Sequence, residues 1–204
     1  MNAGPWSLPR LRWRPLLWIA LALVAIVVLR KHQSSYEQRD APLLQPAPAS
    51  DAVGRNFRVE VGALKVVHAY LLNGPYPGDE ALTLRTPGIW LSVLAKVEAT
   101  QTQGMLNAQL RTRSGRVYVA SGAERPRLPA FNLSGRELAP GLQEVGAWFF
   151  ELPPDQLQGA HLQLFWGTSL PVGGDSLVDV DLGLDAARAR SMLEEAKPVL
   201  DLRQ

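Results

Sequence analysis

The chain has 204 residues, 47% hydrophobic and 20% charged, which suits one packed domain with an appendage and excludes a disordered polypeptide. Its formal charge is +2, but residues 1–55 hold seven Lys/Arg against three Asp/Glu, whereas residues 56–204 hold fourteen against sixteen. A faintly acidic globular part lacks the positive surface that phosphate neutralisation needs, so no nucleic-acid partner is expected, and the lack of cysteine excludes disulfides, thiolate nucleophiles and cysteine-held metals.

Residues 15–29 form a run without a charged side chain, and Trp18 contributes its sole hydrogen-bonding group. As a helix this run is about 22 Å long, shorter than the roughly 30 Å hydrocarbon core of a bilayer. Snorkelling of Arg12, Arg14, Arg30 and Lys31, with Trp13 at the headgroup level, closes the gap. The expectation is a single transmembrane helix over 15–31, with 1–14 in the cytoplasm. A cleaved signal peptide is the rival reading, but Arg30-Lys31-His32 follows the run where small residues would be needed. Arg10, Arg12 and Arg14 are balanced by Arg30, Lys31 and Arg39, so the flanking charges favour an inside N-terminus only slightly. Residues 32–55 contain Pro42, Pro46 and Pro48 and read as an extended spacer.

From Asn56 the hydrophobic period is two. Strands are expected over 57–61, 64–72, 89–100, 105–113, 116–120, 143–152, 160–166 and 176–184. In the third of these Ile89, Leu91, Val93, Ala95 and Val97 share one face. Ser114-Gly115 reads as a hairpin turn, and Pro87-Gly88, Pro140-Gly141 and Gly173-Gly174 as further breaks. Eight short strands without intervening helices predict an all-β, antiparallel sandwich over 56–184. Residues 185–204 read as a short C-terminal helix capped by Asp185.

Candidate chemistry is sparse. His32, His68 and His161 have no ligand-like spacing and read as ordinary positions. Asp179 and Asp181 share one face of a strand near Asp175 and Asp185, but Val178, Val180 and Leu182 take the buried face, so the acids are expected to face water rather than hold calcium. Arg111 and Arg113 flank a hairpin and could meet an acidic partner, or simply guard a strand edge. The long connection 122–146 could carry a contact loop at Leu128 and Phe131. Trp90, Trp148 and Trp166 could line a groove for a ligand, although sandwich cores also need large aromatics. No phosphate loop or nucleophile elbow is present.

Leu138-Ala-Pro-Gly141, Gly146-Ala-Trp-Phe-Phe-Glu-Leu-Pro153, Leu162-Gln-Leu164, Val178-Asp-Val-Asp-Leu182 and Gly62-Ala-Leu-Lys-Val66 together resemble a family. It is that of the uncharacterised bacterial Ig-like domains found in lipoproteins and single-span membrane proteins, sometimes labelled telomere-repeat-factor-like. The resemblance covers roughly 56–184 and departs at Thr100-Gln-Thr-Gln103, where an Asn is usual, and in lacking acidic tracts. It implies an Ig-like sandwich outside the cytoplasm that serves as a binding or accessory module, with no catalytic residue to carry over. The expectation is a membrane-anchored module that binds another envelope protein without catalysis or cofactor, and the alternative is a domain for a small molecule or cell-wall polymer.

Overall fold

The computed structural model describes residues 13–32, 42–74, 78–121, 132–167, 170–171 and 173–203. The chain divides into two compact units, Met1–Asp40 and Ala41–Gln204.

The first unit contributes helix α1, Trp13–His32. Its apolar run carries no helix breaker beyond Pro15, which lies in the first turn where a missing N–H costs nothing. Side chains are described at 17–19, 21–28 and 30, and all are exposed. Among the described residues no helix is long and apolar enough to cross a membrane. The helix expected at 15–31 is therefore present, and the span itself is not shown.

The second unit is a β-sandwich. One sheet runs β1 (Leu43–Ala47), β10 (Ser176–Asp181), β9 (His161–Trp166), β5 (Gly104–Arg111) and β6 (Val117–Val119), with β7 (Glu137–Leu138) also on β5. The other runs β11 (Leu200–Asp201), β3 (Phe57–Leu72), β4 (Leu82–Ala99) and β8 (Gln143–Leu152), with β2 (Ala52–Val53) on β3. Between them lie the alternating residues of both sheets: Phe57, Ile89, Leu91, Val93, Trp148, Phe150, Leu162, Leu164, Val178 and Val180 are all fully buried. The face of β4 read from periodicity is the one the core uses.

Several expectations need correction. The stretch 32–55 is not all spacer, because β1 lies within it and pairs in parallel with β10, Leu43 opposite Ser176 and Ala47 opposite Val180. Pro46 is tolerated there because an edge strand needs donors on one side only. The sandwich is also not wholly antiparallel, since β11 pairs in parallel with β3 as β1 does with β10. Finally, the C-terminal helix α2 spans only Ala186–Glu194, because the residue before Pro198 is held out of helical geometry and the chain leaves for β11. Asp185 caps α2 as expected, accepting from the Arg188 N–H at 2.8 Å. Ala189, Met192, Leu193 and Ala196 recur at helical spacing and pack on the main core.

Two irregularities shape the β3–β4 pair. Register slips at Gly62-Ala63, and again where residues 86–89 of β4 stand opposite His68 alone. The second bulge explains why Pro87-Gly88 does not end the strand: Pro87 needs no ladder donor there. A Cβ at Gly88 would lie 2.4 Å from the Leu152 carbonyl oxygen, so only glycine fits.

The outer face of this sheet carries a second apolar cluster of Val67, Tyr70, Leu72, Trp90, Ala147 and Phe149, beside Leu84, Leu200 and Leu202. The Tyr70 ring meets Phe149 edge-on at 5.4 Å and Trp90 at 5.9 Å. Burial pushes the Tyr70 hydroxyl up to about 12 against a smaller downward pull from the Ser92 hydroxyl. Ser92 points its own hydrogen at the Lys65 carbonyl, and among the described residues the Tyr70 oxygen closes no well-formed hydrogen bond.

Candidate functional site

The most organised polar group lies on the outer face of the first sheet. Side chains alternate across a strand, so Gln109 and Arg111 on β5, His161 and Gln163 on β9, and Asp179 on β10 all project from the face opposite the core. Register brings them together: Gln109 pairs with Gln163, Gln163 with Asp179, and Arg111 with His161. Asp179 is only 8% exposed. Its carboxylate accepts from Gln163 Nε2 at 2.9 Å, His161 Nδ1 at 2.8 Å and Arg111 Nη2 at 3.3 Å. Gln109 Nε2 completes the row by donating to Gln163 Oε1 at 2.8 Å.

Burial is the largest single influence on Asp179 and opposes its ionisation. The Gln163 amide, the charges of His161 and Arg111 and the His161 hydrogen bond outweigh it together, and the carboxyl sits below its ordinary value. Because Asp179 can only accept, His161 donates from Nδ1, which leaves Nε2 for solvent or a partner. The His161 side chain is 30% exposed and that of Arg111 38%. A carboxylate–imidazole pair is also what a general base would use, but among the described residues no hydroxyl bonds to this imidazole. The arrangement holds an imidazole edge and a guanidinium in fixed positions, which is a surface for hydrogen-bond and charge recognition.

Arg111 therefore belongs to a built cluster, while Arg113 lies exposed on the β5–β6 connection, its stem over Gly159. The reading of Asp179 as a solvated acid is corrected: it and Asp181 do share a face, but Asp181 at the strand end is exposed and accepts from the Gly183 N–H. Asp175 accepts from the Ser176 N–H and Asp185 caps α2. Among the described residues no group of three or more His, Asp or Glu could hold a metal ion. His161, taken for an ordinary strand position, and the glutamines Gln109 and Gln163 are the members of the cluster that the sequence does not single out. Polar residues recurring at alternate positions of three strands were a usable signal, but the order β10-β9-β5 was not.

Arg12, Leu128 and Phe131 lie outside the described residues. Trp13, Arg14, Arg30 and Lys31 fall within α1, where the Arg30 side chain is exposed. Trp90 and Trp148 are buried, and Trp166 stacks on Phe57 at 6.3 Å, so none forms an open platform. A shallow hollow of about 380 Å³ opens at the β4 bulge between Thr86, Pro87, Glu151, Pro153 and Pro154. Thr86 donates to Glu151 at 2.7 Å at its wall. A smaller one of about 140 Å³ lies among Asp51, Arg58, Glu60, Lys96 and Glu98.

Fold and site define a two-sheet β-sandwich with a hydrogen-bonded polar cluster on one outer face. No protein-family model and no curated protein matches the sequence. Among solved structures, the chain is similar to an uncharacterised β-sandwich protein of Clostridium difficile, at 8% identity over 69% of this chain and 96% of that one, with a TM-score of 0.40. It is similar to the yjhA protein of Bacillus subtilis at 15% identity over 64% and 96%, with a TM-score of 0.44. The secreted protein MPT63 of Mycobacterium tuberculosis matches at 17% identity over 72% and 99%, also with a TM-score of 0.44.

Proposed function

We propose that this chain is a membrane-tethered, Ig-like β-sandwich of a bacterial envelope, held outside the cytoplasm by α1, which binds another envelope protein and performs no catalysis. The observation that carries the reading is α1. Its 20 residues rise about 30 Å, of which the apolar run 15–29 covers about 22 Å, and snorkelling of Arg14, Arg30 and Lys31 would make up the difference to a hydrocarbon core. Leu17, Ile19, Leu21, Leu23, Val24 and Ile26 are all exposed, on every side of the helix. Such a surface is costly in water and suits lipid, where the helix satisfies its own backbone. The flanking cations, Arg10, Arg12 and Arg14 against Arg30, Lys31 and Arg39, are balanced, and the N-terminal amine tips the count slightly toward an N-terminus inside.

The binding surface in this reading is the Arg111–His161–Asp179 patch together with Arg113 beside it. A partner offering a carboxylate or carbonyl would find Arg111 already oriented by Asp179, so little side-chain entropy remains to be lost. The hollow beside Pro87 and Pro153 is the feature that favours the second reading, a small-ligand or cell-wall polymer domain.

Photo-crosslinking in intact cells separates the two. A crosslinker at Arg113 is expected to trap one discrete protein that a crosslinker at Glu60 does not trap. No adduct at Arg113, with the purified protein retained on cell-wall polymer, would contradict the first reading and favour the second.

A further inference from the structure

β9 is the middle strand of the first sheet, with β10 and β1 to one side and β5 and β6 to the other. Residues directly opposite one another share a face, so register lays a row across the outer face: Val117, Arg111, His161 and Asp181. The next row has Val119 at the β6 edge and Pro46 at the β1 edge. Val117 is 49% exposed and Val119 61%, and Pro46 and Asp181 are exposed too. Further along the same face Phe165 and Leu177 are already buried, so its open part is the strip through His161.

From edge to edge this strip is apolar on β6, cationic on β5, acidic on β10 and apolar again on β1. The neighbouring charges keep that order. Arg113 and Arg116 stand on the β5–β6 hairpin, and residues 104–121 include no Asp or Glu. β10 carries Asp179, which already holds Arg111, and Asp181, whose carboxylate accepts from the Gly183 N–H. Arg188 of α2 approaches Gly183 beside this acid but joins no ion pair among the described residues.

A half-turn about β9 exchanges β5 with β10 and β6 with β1. The strip is therefore complementary to itself: Arg111 comes over Asp181 of a second copy, Asp181 over that copy's Arg111, and the valines of β6 over Pro46. Reciprocal contacts of this kind are the isologous geometry of a two-fold dimer, and sheet faces pack with their strands nearly aligned. We propose that this face docks a second copy of the chain across a two-fold axis along β9. The proposal rests on the reading of the Arg111–His161–Asp179 patch as a protein-binding surface and names what binds there.

The chain has no cysteine, so Val119→Cys and Pro46→Cys, both at exposed positions, each introduce one thiol. Co-expressed as differently tagged full chains and mildly oxidised in intact membranes, the two are expected to form a mixed disulfide severalfold above either homodisulfide. Asp181→Lys in both chains should lower its yield severalfold while the denaturation midpoint stays unchanged. Leu44→Cys repeats the measurement should Pro46→Cys lower the midpoint. Homodisulfides as abundant as the mixed one overturn the inference, and so does a mixed disulfide indifferent to Asp181→Lys. Absence of any disulfide while a crosslinker at Arg113 traps a different protein also overturns it and leaves the partner-binding reading standing. No disulfide and no adduct overturns both.

Discussion

Asp179 sits where a carboxylate is expensive to bury, and four donor contacts from three side chains hold it there. Removing its charge strands Gln163 and Arg111, so Asp179→Asn is expected to cost about 1–3 kcal/mol at neutral pH, read from denaturant midpoints. Its folded-state pKa is lowered, so this stabilisation is complete above the ordinary carboxylate value of about 3.9 and is lost as pH falls through the folded value. The gap between wild type and variant should close in that acid window, and a gap that persists unchanged there would contradict the assignment. Tyr70 gives the opposite sign. With its hydroxyl held at about 12 against an ordinary value of 10.0, the unfolded chain ionises first, and stability falls as pH rises between the two. The loss is about 3 kcal/mol, and Tyr70→Phe should abolish it. That Asp179 shares a face with Asp181 was legible in the sequence. That it is buried was not, because burial on an outer sheet face depends on which strands stand beside it.

At the scale of elements, strands with strict alternation were legible almost residue by residue: β8 spans Gln143–Leu152 as the period of two required. Strands that escaped notice had no room to display a period or carried proline. β2, β7 and β11 are two residues each, and β1 contains Pro46. β4 was read as starting at Ile89 because Pro87-Gly88 resembles a turn, whereas the bulge lets the strand continue back to Leu82. The outer cluster around Trp90 was missed for a related reason, since alternation places Trp90 on the face assumed to be wet. β1 also has a mechanical role: it covers the edge of β10, the strand that bears Asp179. Deleting residues up to 48 should expose that edge, lower the denaturation midpoint and raise light scattering on heating. An unchanged midpoint would show that β1 is decoration rather than part of the sandwich.

At the scale of the whole molecule, a helix with an apolar run and a compact sandwich with its own core form two units, and in the proposed function the first lies in lipid and the second in water. Both units were legible in the composition of the chain, and their boundary was not, because the prolines that suggested a spacer belong partly to an edge strand. The account depends on α1 living in lipid. Alkaline carbonate extraction of membranes carrying the full chain, beside a version beginning at Ala41, tests this directly. The full chain should stay in the membrane pellet while the shortened one appears in the supernatant, and release of the full chain into the supernatant would contradict the account.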